Sequence, residues 1–224
     1  MAYSVITTQA TQFSVTGGTT AGNTTTGADA LFVVLPYYKS AGANLSDSKG
    51  NTWVQLTKYE EASSNSAIVI YYASAFTGSF TVGTSHTFTT TSHFGAICLI
   101  AVSGARTATS ATDQQNGTTG GASANPQSTG SITPSVDNCL VLTGFYQAAA
   151  GSAPTIPSGY TSIGTWATGT AFLGGAAYKI QTTATATNPS WVPGNAGSIF
   201  ATDVASFFPP AVAVTANGKF FVFF

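Results

Sequence analysis

Apolar residues along this chain fall into two patterns, and neither has the spacing of a helix. In the first, residues 30–35 and 94–102 form continuous apolar runs, each bounded by turn-forming residues. Such runs suit strands buried inside a sandwich. In the second, polar and apolar residues alternate, as they do across 51–56, which predicts a half-buried strand. Asp47, Ser48, Lys49 and Gly50 turn the chain into that strand, since Gly50 and Asn51 tolerate the positive φ of a tight turn. Trp53 on it is the expected core anchor, because an indole buries a large area. Further strands are expected at 3–7, 12–16, 67–72, 80–82 and 86–89, with Gly17 and Gly18 turning the chain after the second. Residues 59–66 read as a loop carrying Glu60 and Glu61.

The second half of the chain repeats the first. Asp29 and the apolar run ending at Tyr37 and Tyr38 align with Asp137 and the run ending at Phe145 and Tyr146, 108 residues later. Gly50-Asn51-Thr52 matches Gly159-Tyr160-Thr161, Ile70-Tyr71-Tyr72 matches Ala177-Tyr178-Lys179, and 94–104 matches 198–208. Five elements recur in one order at nearly one offset. Two halves of short strands, each with one polar and one apolar face, would pack as two sheets. The expected architecture is all-β, a two-sheet β-sandwich of jelly-roll type over 1–208 with halves at about 28–104 and 136–208. Residues 107–131, made of Thr, Ser, Gly, Asn and Gln with little apolar content, read as a long polar loop or linker.

Residues 209–224 read as a separate tail. Pro209 and Pro210 close the sandwich, and Asn217-Gly218 between two β-prone runs predicts a hairpin. Phe220, Phe221, Val222, Phe223 and Phe224 are apolar on both faces of any strand. An edge of that kind aggregates unless covered. Either the chain's own domain or another chain must cover it, and docking on a neighbouring subunit is the expectation adopted.

Composition narrows the function. Only 6% of the 224 residues are charged, against roughly 25% in ordinary soluble domains, while 43% are hydrophobic. That combination predicts a folded protein with a neutral, hydroxyl-rich surface. A net charge of −1, with six scattered Lys and Arg residues, supplies no phosphate-tracking stripe, so nucleic acid is not an expected partner. The N-terminal residues lack the basic and apolar segments of a signal peptide, and no apolar run has the length of a membrane span. If the protein ends up outside a cell it gets there by another route, of which release by lysis as part of a virus particle is one.

Candidate chemistry is sparse. His86 and His93 are expected on solvated strands or loops, with a site shared with Asp47 or Glu60 as the alternative. Glu60 and Glu61 are sequence neighbours and would face opposite ways on a strand, unlike a glycosidase pair. Ser103-Gly104 and Ser158-Gly159 lack the GxSxG context of a hydrolase. Cys98 and Cys139 sit in apolar runs as free buried thiols or as a disulfide, and no CxxC spacing supports zinc. Asp47 and Asp113 lack the EF-hand spacing for calcium. No catalytic residue, cofactor or metal is expected.

The sequence Ser46-Asp47-Ser48-Lys49-Gly50-Asn51-Thr52-Trp53, then Ile70-Tyr71-Tyr72, then a strand ending Val102-Ser103-Gly104, resembles β-sandwich modules of phage virion proteins and large bacterial surface proteins. The resemblance spans about 28–208 and implies a sandwich with no catalytic residues to carry over. The expectation is therefore a non-enzymatic structural protein of a phage virion, a capsid decoration (cement) protein or similar exterior component. Its partners would be capsid or other virion proteins and further copies of itself, making a homo-oligomer. The alternative is a carbohydrate- or receptor-binding module in which Trp166, Trp191 and Tyr146, with Tyr37 and Tyr38, line a glycan platform.

Overall fold

A computed structural model describes residues 3–38, 44–62, 66–104, 111–168 and 172–209. The predicted C-terminal hairpin, and with it Phe220, Phe221, Val222, Phe223 and Phe224, lies outside the described residues. The first half of the chain forms β1 (Ser4–Thr19), β2 (Ala30–Tyr38), β3 (Leu45–Asp47), β4 (Val54–Gln55), β5 (Tyr59–Glu60), β6 (Ser66–Ser74) and β7 (Phe88–Ser103). The second forms β8 (Thr112–Gly120), β9 (Gln127–Ser128), β10 (Cys139–Gln147), β11 (Thr161–Ala167), β12 (Leu173–Gln181), β13 (Ser190–Trp191) and β14 (Phe200–Phe207). No helix occurs among the described residues, and the protein is an all-β sandwich.

Each half builds one complete antiparallel sheet. The first runs β1-β7-β2-β6-β4, with β3 beside β7 and β5 beside β6; the second runs β11-β12-β10-β14-β8. Read from its own first strand, the second order is β8-β14-β10-β12-β11, the same path as the first. The repeat extends to register. Adding 108 to both members of the pair Leu31↔Ala73 gives Cys139↔Gln181, which is the observed pair. Gly50 and Gly159, matched in the repeat, both sit at turns with positive φ, +70° and +77°. Among the described residues the halves exchange no strands between the two main sheets, which refines the jelly-roll expectation to two copies of one sheet placed face to face. Across the interface β2 lies against β10, β6 against β14, β1 against β11 and β5 against β8. That reversed order is what a two-fold axis between the sheets, along the strands, produces.

The central strands β2, β6, β10 and β14 are buried on both faces, which corrects the expectation of one polar face per half. Phe32, Val34, Ile68, Ile70, Cys98 and Ile100 meet Leu140, Leu142, Tyr146, Ala205 and Phe207 between the sheets. Leu31, Val33, Leu35 and Tyr37 point the other way, into a second cluster with Val69, Ile97 and Leu99. Loops of the first half close over that cluster, bringing Leu45, Trp53, Phe80 and Val82 against it. On the far side Trp191, carried by the small β9–β13 ribbon, covers Phe145, Leu173 and Ala177. A strand with both faces covered loses the reason to alternate, hence the continuous apolar runs.

Four local expectations change. The two strands expected at 3–7 and 12–16 are one long strand, β1 (Ser4–Thr19), kinked by register shifts, with the φ +69° of Gly17 falling inside it. Residues 112–120, read as polar loop, are the edge strand β8: an edge is held by main-chain bonds to β14 and leaves its side chains free to be polar. Residues 80–82 are a loop that packs rather than pairs, and β7 starts at Phe88. Trp53 is half-buried over the outer face and not in the core between the sheets.

Candidate functional site

A polar cluster at one end of the first sheet is centred on Asp47, the last residue of β3. Its carboxylate accepts from the Lys49 N–H at 2.8 Å and from Asn51 Nδ2 at 3.2 Å, the Asx-turn that Asp-Ser-Lys-Gly encodes. Its other oxygen accepts from Trp53 Nε1 at 2.7 Å. Asn51 then reaches across to Thr81, accepting from its N–H at 2.5 Å and donating to its carbonyl at 3.0 Å. The SDSKGNTW stretch is thus a set of donors converging on one acid.

His86 completes the cluster. Its Nε2 lies 2.9 Å from Asp47 Oδ1 and its Nδ1 2.9 Å from Thr25 Oγ1, with the ring stacked on Phe88 at 4.4 Å. A carboxylate only accepts, so Nε2 carries the proton. Burial would raise the Asp47 pKa, yet the bonds from His86, the Lys49 N–H and Trp53 together hold it below the ordinary carboxylate range. His86 is fully buried, which corrects the expectation of a solvated histidine. A bridge between Asn23 and His86 draws it beneath the loops that cover the sheet. Of the residues weighed for a shared site, Asp47 and His86 meet; Glu60 instead accepts from Tyr37 Oη at 2.7 Å and pairs with Lys58 at 3.1 Å. The His93 side chain lies outside the described residues.

Hydroxyl, imidazole and carboxylate in line have the order of a nucleophilic triad. A nucleophile must reach a substrate, however, and here Thr25, His86 and Asp47 are all enclosed. Thr25 Oγ1 is also held between the Gly83 N–H at 3.1 Å and the Gly83 carbonyl at 3.2 Å. The arrangement ties three loops together over the outer face of the sheet.

A second polar node joins the two sheets. Gln115 on β8 accepts from the Thr57 N–H at 3.0 Å and donates to the Thr57 carbonyl at 2.9 Å, filling the break between β4 and β5. The same amide lies 3.4 and 3.5 Å from the oxygens of Asp203, which is fully buried. Burial drives the Asp203 carboxyl well above its ordinary range, only partly opposed by Gln115 and the Val204 N–H. Nearby Tyr59 is pushed up to about 12, first by burial and then by the Asp203 charge. Thr25, Gln115 and Asp203 were not singled out from sequence. Asp203 had a signal, an acid inside the apolar run 198–208; Thr25 and Gln115 sit among many similar polar residues and had none.

The glycan platform is corrected. Trp166 is 6% exposed, while Trp191 and Tyr146 are fully buried. Trp166 packs between the sheets and Trp191 on the outer face, on opposite sides of β12, where they cover Gly174 and Gly175 respectively. Stacking on a sugar needs an exposed ring face, and these rings share no surface. Tyr37 is buried as well and Tyr38 half-buried. Cys98 and Cys139 are free and buried. Among the described residues no group of three or more His, Cys, Asp or Glu could hold a metal, and no helix is long and apolar enough to cross a membrane. No protein-family model, curated protein or solved structure matches the chain.

Proposed function

We propose that this chain is a non-enzymatic structural protein of a phage virion, a capsid decoration (cement) protein or similar exterior component that docks on neighbouring subunits. The observation that carries the reading is the run Phe220-Phe221-Val222-Phe223-Phe224, apolar on both faces, attached to a sandwich whose central strands already have both faces covered. A run of that kind is too apolar to leave in water, and the central strands β2, β6, β10 and β14, buried on both faces, offer it no place. The charge-poor, hydroxyl-rich composition and the resemblance of SDSKGNTW, the Tyr pair and the Ser-Gly strand end to virion modules support the same reading. Burial of Trp166, Trp191 and Tyr146 removes the platform on which the carbohydrate-binding alternative rested.

The test compares solution masses of the full chain and of a chain ending at Pro210, which keeps every described element. Assembly of the full chain and a folded monomer after truncation is the expected outcome. Identical stable monomers would overturn docking through the tail. Mass spectrometry of particles purified from a culture carrying the sequence then tests the virion assignment, which fails if the chain is absent from them.

A further inference from the structure

Soluble sheets blunt their edges with charges, prolines, bulges or short strands. The first sheet does so on one side only. Its β4–β5 edge is two short pieces separated by a break and flanked by Lys58 and Glu60. Its other edge is β1, sixteen residues long, with no charged residue and no proline anywhere between Ser4 and Thr19. Register shifts interrupt β1 near both ends, between Val5 and Thr7 and again after Phe13, but Thr7 through Phe13 pair with β7 without a break. That is about 23 Å of straight strand. Among the described residues β1 pairs with β7 alone, so one row of its main-chain groups has no strand beside it. Thr8, Ala10 and Gln12 along this stretch are exposed.

The tail departs from the same region. Tyr3, immediately before β1, donates its hydroxyl to the Phe208 carbonyl at 2.5 Å, so the fifteen residues after Pro209 begin beside the start of this edge. The five-residue run 220–224 would extend about 17 Å as a strand and fits within the unbroken part of β1. Folded back on its own β1, a tail hairpin would present a new open edge two strands further out. Exchanged between two copies, each hairpin would set its 220–224 arm on the partner's β1 and its other arm against its counterpart across the two-fold axis, so that neither β1 nor any tail strand keeps an open side.

We propose that Thr7–Phe13 of β1 is a strand-acceptor edge and that its occupant is the Phe220–Phe224 run of a second copy of this chain, reciprocated across a two-fold axis. The assignment rests on the docking role given above to the tail. Main-chain bonds would supply the affinity and the Phe side chains the specificity, as in donor-strand pairing.

The test uses full-length chains. Thr8→Lys/Gln12→Lys charges the edge, and Phe221→Asp/Phe223→Asp disables the tail. Sedimentation should give a dimer for the unmodified chain and a monomer for each variant alone. Mixing the two variants should restore a heterodimer, since one supplies an intact tail and the other an intact edge. Unchanged far-ultraviolet circular dichroism shows that the edge variant folds; if it does not fold, the milder Gln12→Lys replaces it. An edge variant that assembles like the unmodified chain, or a mixture that stays monomeric, overturns the acceptor edge while leaving tail docking intact. A tail variant that behaves like the unmodified chain overturns the docking role itself.

Discussion

Replacing Asp203 with Asn should change how the stability of the protein depends on pH more than it changes the fold. Asp203 shares the inward face of β14 with Ala201 and Ala205, is fully buried, and takes part in no ion pair among the described residues. Its donors are the Gln115 amide at 3.4 and 3.5 Å and the Val204 N–H, too little to offset the loss of water. The folded carboxyl therefore keeps its proton above the ordinary aspartate pKa of about 3.9. With the folded pKa raised, its contribution is fully present below that value and is lost as pH rises towards the folded pKa. In that window the unfolded chain has released a proton that the folded chain retains, and stability falls by about 1.4 kcal/mol per pH unit. Asp203→Asn removes the proton and with it this slope. Urea denaturation of both proteins from pH 3 to pH 8 isolates the effect, because Asp47 and every other group cancel in the difference. The two should differ by a constant below about pH 4, after which the variant gains about 1.4 kcal/mol per unit, or roughly 3–5 °C in Tm. Parallel curves over the whole range would show that the carboxyl ionises as it does in water, and the reasoning from burial would fail.

Asp47→Ala should cost about 1–3 kcal/mol in chemical denaturation, because His86, Trp53, Asn51 and the Lys49 N–H all lose their acceptor; a loss below about 0.5 kcal/mol would mean that water replaces it freely. The depressed Asp47 pKa has the opposite sign to that of Asp203: its stabilisation is present above about pH 3.9 and disappears on acidification through the folded pKa, so the Asp47→Ala deficit should shrink in acid. Gly144→Val should cost about 1–3 kcal/mol, since a Cβ there would stand 2.4 Å from Ile68 Cδ1 and 2.6 Å from Val34 Cγ1 across the sheet interface. Combining it with Ile68→Ala should recover part of that loss, and strict additivity in the double-mutant cycle would place the contact elsewhere.

The duplication, the strand class and the approximate strand positions were legible along the chain, because local patterns encode them. A continuous apolar run flanked by turns has few other uses, and two such runs 108 residues apart, each followed by its own turn and strand, announce one unit used twice. The Asx-turn from Asp47 to Lys49 was legible for the same reason: its bonds join residues close in sequence. What sequence could not supply was the partner of each face. The same alternation that made Trp53 look like the core anchor left open which side of the sheet it would meet, and the covering loops placed it outside while Trp166 and Trp191 took buried positions. Polar residues at 112–120 looked like linker because an edge strand is held by main-chain bonds that every residue but proline can make. His86 looked solvated because nothing near it in sequence shows Thr25, 61 residues away, or Asp47, 39 away. Secondary structure follows from neighbours in the chain, whereas burial and ionisation follow from neighbours in space.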